Sequence, residues 1–343
     1  MRSAAQRAWW WFKRVAPWVL AGLVLTLVAF EARRVDWPAV WLALRQQSPG
    51  WLVAAAALSL ISYALYATFD LIGRRLTGHR LPMSRTLGIA AISYAFNFNL
   101  GSWVGSLALR LRLYTRWGLP TETVVQIVAY SMVTNWLGYL WVGGTVLVWA
   151  PPTLALVGLP SAGWLRVIGL VMIGAALAYL ALCRYSPKRQ LSWRVHRLEL
   201  ASGRMASWQA AAGGANWLLI GAIVWILLGM RVDYPSVLGV MLLAAVAGVV
   251  THVPGNVGVL EALVVASLGD RLPKTELLAA MLAYRAAYYL LPFALALPAY
   301  GLSEAAARRA DHRRVVRRIV PSADERRLEQ PGGERSCWWR LWC

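Results

Sequence analysis

The chain has 343 residues, of which 59% are hydrophobic and 20 are tryptophan, and its formal net charge at pH 7 is +20. This hydrophobicity excludes an ordinary soluble domain and is typical of a helical protein that crosses a membrane several times. The basic residues fall mostly in loops and in the tail, so we expect anionic lipid headgroups, and not nucleic acid, as their counter-charge.

Apolar segments follow one another along most of the chain. The first, residues 15–30, comes after a basic start and lacks a small-residue cleavage site, which predicts a signal anchor. Seven further segments are predicted at residues 51–69, 87–109, 123–149, 164–183, 210–230, 237–268 and 277–302.

The loop charges indicate which segments cross the membrane. If segment 87–109 spanned it fully, the basic loop 184–204 would lie outside, against the positive-inside rule. We therefore predict that 87–109 is a hairpin that returns to the side it came from. Both termini are then expected in the cytoplasm.

Segment 237–268 contains a second break. A proline, two glycines and a carboxylate interrupt its apolar run between His252 and Glu261. The run is too long for one crossing of a ~30 Å hydrocarbon core and too short for two, which favours a re-entrant hairpin. The predicted fold is an all-α polytopic membrane protein with about six transmembrane helices and two re-entrant or broken hairpins.

The two breaks fall in the two halves of the chain, a pattern typical of inverted-repeat transporters, whose binding site lies near mid-membrane. The alternative for the first break is ordinary small-residue packing between helices through Gly101 and Gly105.

Two membrane charges are expected at similar depth. Arg285 lies eight residues into segment 277–302, or roughly 12 Å at 1.5 Å per residue, and Glu261 lies eight residues before Gly269. Since a lone charge near the bilayer centre costs roughly 2.5–3.5 kcal/mol, we predict that the two form a pair lining a polar cavity. Arg285 is then suited to a phosphate, and the alternative is a purely structural ion pair.

Other polar residues near the breaks are weaker candidates for substrate binding. His252 is a candidate proton relay or an ordinary hydrogen-bonding residue. Asn97 and Asn99 either contact a headgroup or satisfy freed backbone groups. Arg110 either receives a phosphate at the inner mouth of the first hairpin or only sets topology. The remaining candidates belong to the second break: Pro254, Gly255, Asn256 and Gly258.

The Pro-Gly-x-x-Gly-x-x-Glu motif at 254–261, followed by Arg285 in a late helix, resembles the lysylphosphatidylglycerol synthase/flippase transmembrane family of bacterial inner-membrane proteins. The similarity extends roughly over residues 15–302. The stretch from Gly101 to Arg110 is similar to an earlier family signature, although Ser106 stands where the family often has an acid. Residues 128–135 also lack the Glu-Arg pair that many members carry.

The resemblance implies movement of a phospholipid between leaflets. Fused members add a cytoplasmic aminoacyl transferase, and we expect none here because the segment after Leu302 is too short. The chain also has no phosphate-binding loop, nucleophile elbow or zinc motif, so we expect no enzyme activity, no cofactor and no metal site. The expected domains are a basic N-terminus at 1–14, a flippase-like transmembrane domain at 15–303 and a basic, partly disordered tail at 304–343.

The expected function is translocation of an anionic or modified phospholipid. One alternative is a non-transporting accessory protein that organises a lipid-synthesis enzyme, and another is a membrane-embedded transferase. The expected partners are anionic phospholipids and, in the accessory case, that enzyme, while self-association into a homo-oligomer is left open.

Overall fold

A computed structural model describes residues 37–100, 107–151, 162–187, 190–193, 196–251 and 253–319. Helices account for nearly all of them, with one antiparallel two-stranded ribbon in the basic loop. The elements in chain order are α1 Trp37–Arg45, α2 Pro49–Thr77, α3 Met83–Leu100, α4 Leu109–Arg116, α5 Thr121–Trp149, α6 Ala162–Tyr185, β1 Gln190–Trp193, β2 His196–Glu199, α7 Gly203–Leu227, α8 Tyr234–Thr251, a 3₁₀ turn Pro254–Asn256, α9 Val259–Leu268, α10 Lys274–Tyr284, a π-helical stretch Arg285–Leu290 and α11 Leu291–Ile319.

Five helical segments are long and apolar enough to cross a membrane, which confirms the predicted all-α polytopic fold. Four contain predicted crossings, and the fifth is the first arm of the second predicted hairpin. The 29-residue α5, which contains the predicted crossing 123–149, is long enough to cross but is not among the five. The predicted signal anchor at 15–30 lies outside the described residues. The five segments are Pro49–Thr77, Ala162–Tyr185, Gly203–Leu227, Tyr234–Thr251 and Lys274–Ala305.

Small residues set the spacing of the central helices. A Cβ on Gly138 of α5 would lie 2.1 Å from the carbonyl carbon of Gly213 in α7, so only glycine fits at this crossing. A Cβ on Gly144 would lie 2.7 Å from the carbonyl oxygen of Gly169 in α6. Inside a membrane the hydrophobic effect does not drive helices together, because lipid tails are as apolar as the side chains. Close backbone approach of this kind lets the helices gain van der Waals contact instead.

The second break occurs where the sequence predicted it. The 18-residue α8 ends at Thr251, and the 10-residue α9 begins at Val259. Asp233, just before α8, forms an ion pair with Arg271, just after α9. The two ends of the α8–α9 segment therefore meet at one surface. This geometry is that of a hairpin with one full-length and one half-length arm.

The two ends of the first predicted hairpin also lie close together. The guanidinium of Arg85, near the start of α3, lies 3.9 Å from the ring centroid of Trp117, just after α4. The predicted turn itself, with Gly101, Gly105 and Ser106, lies outside the described residues. Two chain segments therefore return to the side from which they came.

The chain divides into two compact units, Met1–Ala296 and Leu297–Cys343. The second unit is described only as helix, up to Ile319. The sites below all lie in the first unit.

Candidate functional site

The turn between α8 and α9 uses backbone conformations that favour glycine. Gly255 has φ +64° and Gly258 has φ +80°. Asn256 also has a positive φ, of 54°, and its Nδ2 donates to the carbonyl of Ala244 at 2.8 Å, which anchors the turn to α8. The sequence Pro-Gly-Asn-Val-Gly breaks the helix because proline cannot continue it and Gly255, Asn256 and Gly258 tolerate the left-handed region.

Arg285 closes this turn. Its Nε donates to Glu261 Oε1 at 2.5 Å and its Nη2 donates to Glu261 Oε2 at 3.0 Å, which is a bidentate pair. Nη1 donates to the carbonyl of Gly255 at 2.9 Å, and Nη2 donates also to that of Asn256 at 3.0 Å. The Glu261–Arg285 pair predicted from depth is therefore present, and it holds two carbonyls that the helix break left free.

Glu261 occupies the first turn of α9. Its Oε2 also accepts the backbone N–H of Gly258 at 2.8 Å, next to the positive end of the helix dipole. The side chains of Arg285 and Glu261 remain 15% and 19% exposed. Protein therefore surrounds most of the pair, and one side of it stays exposed.

Arg285 is the first residue of a π-helical stretch, Arg285–Leu290. Such stretches are rare and occur often at functional sites. No feature of the sequence predicted this departure from α-helix.

The end of α3 meets the second hairpin. Asn99 Nδ2 donates to the carbonyls of Ala95 at 2.9 Å and Tyr289 at 3.3 Å, and both of its predicted roles stay predictions. A Cβ on Gly255 would lie 3.4 Å from the carbonyl oxygen of Phe98. Asn97 Oδ1 is buried without a hydrogen-bond partner in the described part of the chain. The described end of α3, which precedes the first predicted break, therefore lies against the second break.

Arg110 belongs to a different cluster. Its Nε and Nη2 donate to Asp70 at 3.0 and 3.1 Å, and Tyr114 donates to the same carboxylate at 2.9 Å. The side chains of Arg110 and Asp70 are 1% and 0% exposed, so Arg110 is enclosed by protein and not open at a hairpin mouth. A phosphate-receiving role for Arg110 stays a prediction and requires this cluster to open.

Sequence reasoning missed Asp70. The signal was available, because Asp70 is a single carboxylate inside an apolar helix, and an ionisable residue there requires a partner. A second polar network was also missed, in which Ser62 donates to Asn216 at 2.7 Å and lies 3.0 Å from the Tyr288 hydroxyl.

His252 lies outside the described residues, so its predicted relay role stays untested. Pro254 begins the 3₁₀ turn, as a helix breaker is expected to do. Within the described residues no three His, Cys, Asp or Glu side chains are grouped as they would be to hold a metal ion.

Comparison with known proteins gives consistent matches over most of the chain. The family model described as "Lysylphosphatidylglycerol synthase TM region" matches residues 15–296. The inner membrane protein YbhN of Escherichia coli K12 is 36% identical over 313 residues, covering 90% of this chain and 97% of YbhN.

Two other relatives are informative. The uncharacterized protein slr0712 of Synechocystis is 28% identical over 328 residues, covering 93% of this chain and 99% of that protein. A phosphatidylglycerol lysyltransferase of Staphylococcus haemolyticus is 29% identical over 86 residues, which are 24% of this chain and 10% of the enzyme.

Proposed function

The chain is a multi-pass inner-membrane protein that belongs to the lysylphosphatidylglycerol synthase transmembrane-region family, and we propose that it moves an anionic or modified phospholipid between the leaflets. The observation that supports this proposal most is the partly open Glu261–Arg285 pair at the second break, against which the end of α3 lies. Both termini are cytoplasmic in this proposal, and anionic phospholipids are its partners. No catalysis is involved.

The chemistry of Arg285 suits a phosphate. A guanidinium binds a phosphate through the same two parallel N–H donors that now hold Glu261. A headgroup phosphate that reaches the open side can take these donors while the carbonyls of Gly255 and Asn256 retain the others. The exchange moves the Arg285 charge from Glu261 to the phosphate, and the Glu261 carboxylate then keeps the Gly258 N–H and the positive end of the α9 dipole as its stabilisation.

The hairpin geometry supports a path for the headgroup. Irregular backbone at membrane depth is tolerated where it is buried in protein or lines a water-filled cavity. The 3₁₀ turn Pro254–Asn256 and the end of α3 meet from two separate hairpins, which is the arrangement of discontinuous segments around transporter sites.

The hydrogen bonds that Arg285 already makes favour a second candidate function. Its guanidinium already has acceptors on Glu261, Gly255 and Asn256, and such a fully bonded group is also suited to fixing the turn permanently. In that case the protein is an accessory component of a lipid-synthesis system and does not transport.

A liposome assay separates these two functions. The full chain is reconstituted with a fluorescent phosphatidylglycerol in both leaflets, and the fraction accessible to an external quencher is followed with time. We expect leaflet exchange above that of empty liposomes, and we expect Glu261→Gln and Arg285→Gln each to abolish it.

Arg271→Gln is the matched control. It removes an arginine of an ion pair on the same hairpin, but at its exposed end. Exchange should be retained in this variant. No exchange by the wild-type chain would favour the accessory role, and exchange that survives Arg285→Gln would make Glu261–Arg285 a structural pair.

A further inference from the structure

An open pocket of about 470 Å³ lies where the end of α6 meets the start of α7, and no residue of the Glu261–Arg285 site lines it. Its polar wall consists of Arg184, Arg204 and Ser207, and its apolar wall includes Leu180 and the ring of Tyr185. The volume is within the range of small-ligand sites, roughly 300–1,000 Å³. The pocket therefore offers two cations beside an apolar surface.

The two arginines of the pocket are unpaired within the described part of the chain. Neither Arg184 nor Arg204 forms an ion pair or hydrogen bond with a described residue, whereas Arg110, Arg271 and Arg285 all bind carboxylates. No carboxylate is among the described residues that line the pocket. Two like charges that share a concave surface without a counter-ion attract an anion.

The start of α7 adds to this attraction. The side chain of Ser202 accepts the N–H of Met205, but the first N–H groups of a helix have no acceptor within the helix. A Cβ on Gly203 would lie 2.9 Å from Cδ of Arg184, so the helix start packs directly on the stem of that arginine. Glycine at this position brings the positive end of the helix dipole and the Arg184 guanidinium into one pocket.

The position along α6 places the pocket at a membrane surface. Arg166 and Arg184 are 18 residues apart on this helix, or about 27 Å, which nearly matches a ~30 Å hydrocarbon core. Trp164 is 64% exposed and Tyr185 is 81% exposed, one at each end, as in the aromatic belts of membrane proteins. A ligand in the pocket is therefore within reach of lipid headgroups.

We propose that this pocket binds the phosphate group of an anionic phospholipid of the adjacent leaflet. Arg184 and Arg204 hold the phosphate oxygens, since planar guanidinium groups match them bidentately, and Leu180 contacts the first part of an acyl chain. Inorganic phosphate offers the same oxygens to the two arginines but has no acyl chain. The proposal does not require leaflet exchange, so the two proposals can fail separately.

A binding assay on the full chain in an uncharged detergent tests the proposal. The probes are dihexanoyl phosphatidylglycerol and inorganic phosphate, each titrated while Kd is measured by calorimetry. We expect saturable binding, and we expect Arg184→Gln and Arg204→Gln each to raise Kd about tenfold or more, since a charge-assisted hydrogen bond contributes at least that factor.

Arg166→Gln is the matched control, because it removes the same charge from the opposite end of α6. Its Kd should equal that of the wild-type chain, and its Tm without ligand, compared with those of the pocket variants, shows that all of them are folded. Arg184→Lys should fall between the wild-type chain and Arg184→Gln, because it keeps the charge and loses the planar fork.

Either probe can support the proposal, and their ratio identifies the source of the phosphate. Tighter binding of phosphatidylglycerol assigns the site to a lipid headgroup, and equal Kd values assign it to free phosphate. The proposal is overturned if neither probe binds, or if Arg184→Gln and Arg204→Gln change Kd no more than Arg166→Gln does.

Discussion

Two arginine–carboxylate pairs of the same bidentate geometry lie beside the two hairpins, and they differ in how completely protein encloses them. Asp70–Arg110 has side chains 0% and 1% exposed and gains a third hydrogen bond from Tyr114. Glu261–Arg285 has side chains 19% and 15% exposed and gains backbone carbonyls of a broken helix.

The difference shows what each pair can do. Asp70 comes from regular helix α2, so its pair joins two intact elements and has no open side. Glu261–Arg285 stabilises a turn whose carbonyls had no helical partner, and one side stays open. The same chemistry is therefore fully enclosed in one place and partly exposed in the other, and our proposal that Glu261–Arg285 exchanges with a headgroup depends on this difference.

The largest effect on stability is expected from Arg110→Gln. It leaves the Asp70 carboxylate buried with the Tyr114 hydroxyl as its main remaining donor, which should cost about 3–5 kcal/mol in the free energy of unfolding. Unfolding of the purified chain in detergent measures this loss. The double variant with Asp70→Asn should recover part of it, since no buried charge is then unpaired. A loss below that of Arg285→Gln would contradict the comparison.

Arg285→Gln should reduce the stability less than Arg110→Gln does, but it should reduce leaflet exchange more. The partly open position lets water reach Glu261, so we expect a loss of about 1–3 kcal/mol together with the loss of leaflet exchange. The same unfolding measurement and the liposome assay provide both values. If Arg285→Gln retained leaflet exchange and caused a large loss of stability, Glu261–Arg285 would have the same structural role as Asp70–Arg110.

Gly255→Ala tests whether the turn must keep its shape. Its φ of +64° should make alanine cost about 1–2 kcal/mol. Gly78→Ala is the control, because Gly78 has φ +65° and no atom within 4 Å of its Cβ position. The two variants should lose similar stability, and only Gly255→Ala should slow exchange. Equal exchange rates in both would argue against a role for the turn.

The smallest effect is expected at the exposed end of the second hairpin. Arg271→Gln removes a pair whose side chains are 46% and 52% exposed, which should cost about 0.2–1 kcal/mol and less at high salt. Unfolding midpoints at low and high ionic strength measure this loss. A loss independent of salt would show that the pair acts other than by charge.

The same pair predicts a dependence on pH. Partial burial acts to raise the pKa of Asp233, but hydrogen bonds from Ser236 and Arg271 and the charge of Arg271 outweigh it and lower the pKa. A lowered pKa in the folded state means that this stabilisation is present above the ordinary pKa of an aspartate. It should be lost as pH falls through the folded value, and Arg271→Gln should reduce that pH dependence.

The sequence alone determined five of the apolar membrane helices, the place of the second break and the pairing of Glu261 with Arg285. These features depend on position along the chain. Helical rise converts residue number into depth, and a lone charge at depth requires a partner at the same depth.

Only the tertiary structure decided which faces meet. Arg110 was found near the first hairpin, but its partner Asp70 lies 40 residues away on another helix. The pocket of Arg184 and Arg204 likewise requires the end of α6 to pack on Gly203. Depth follows from counting residues. Lateral neighbours follow from where small residues such as Gly138 and Gly213 let two helices approach, which a count of residues does not give.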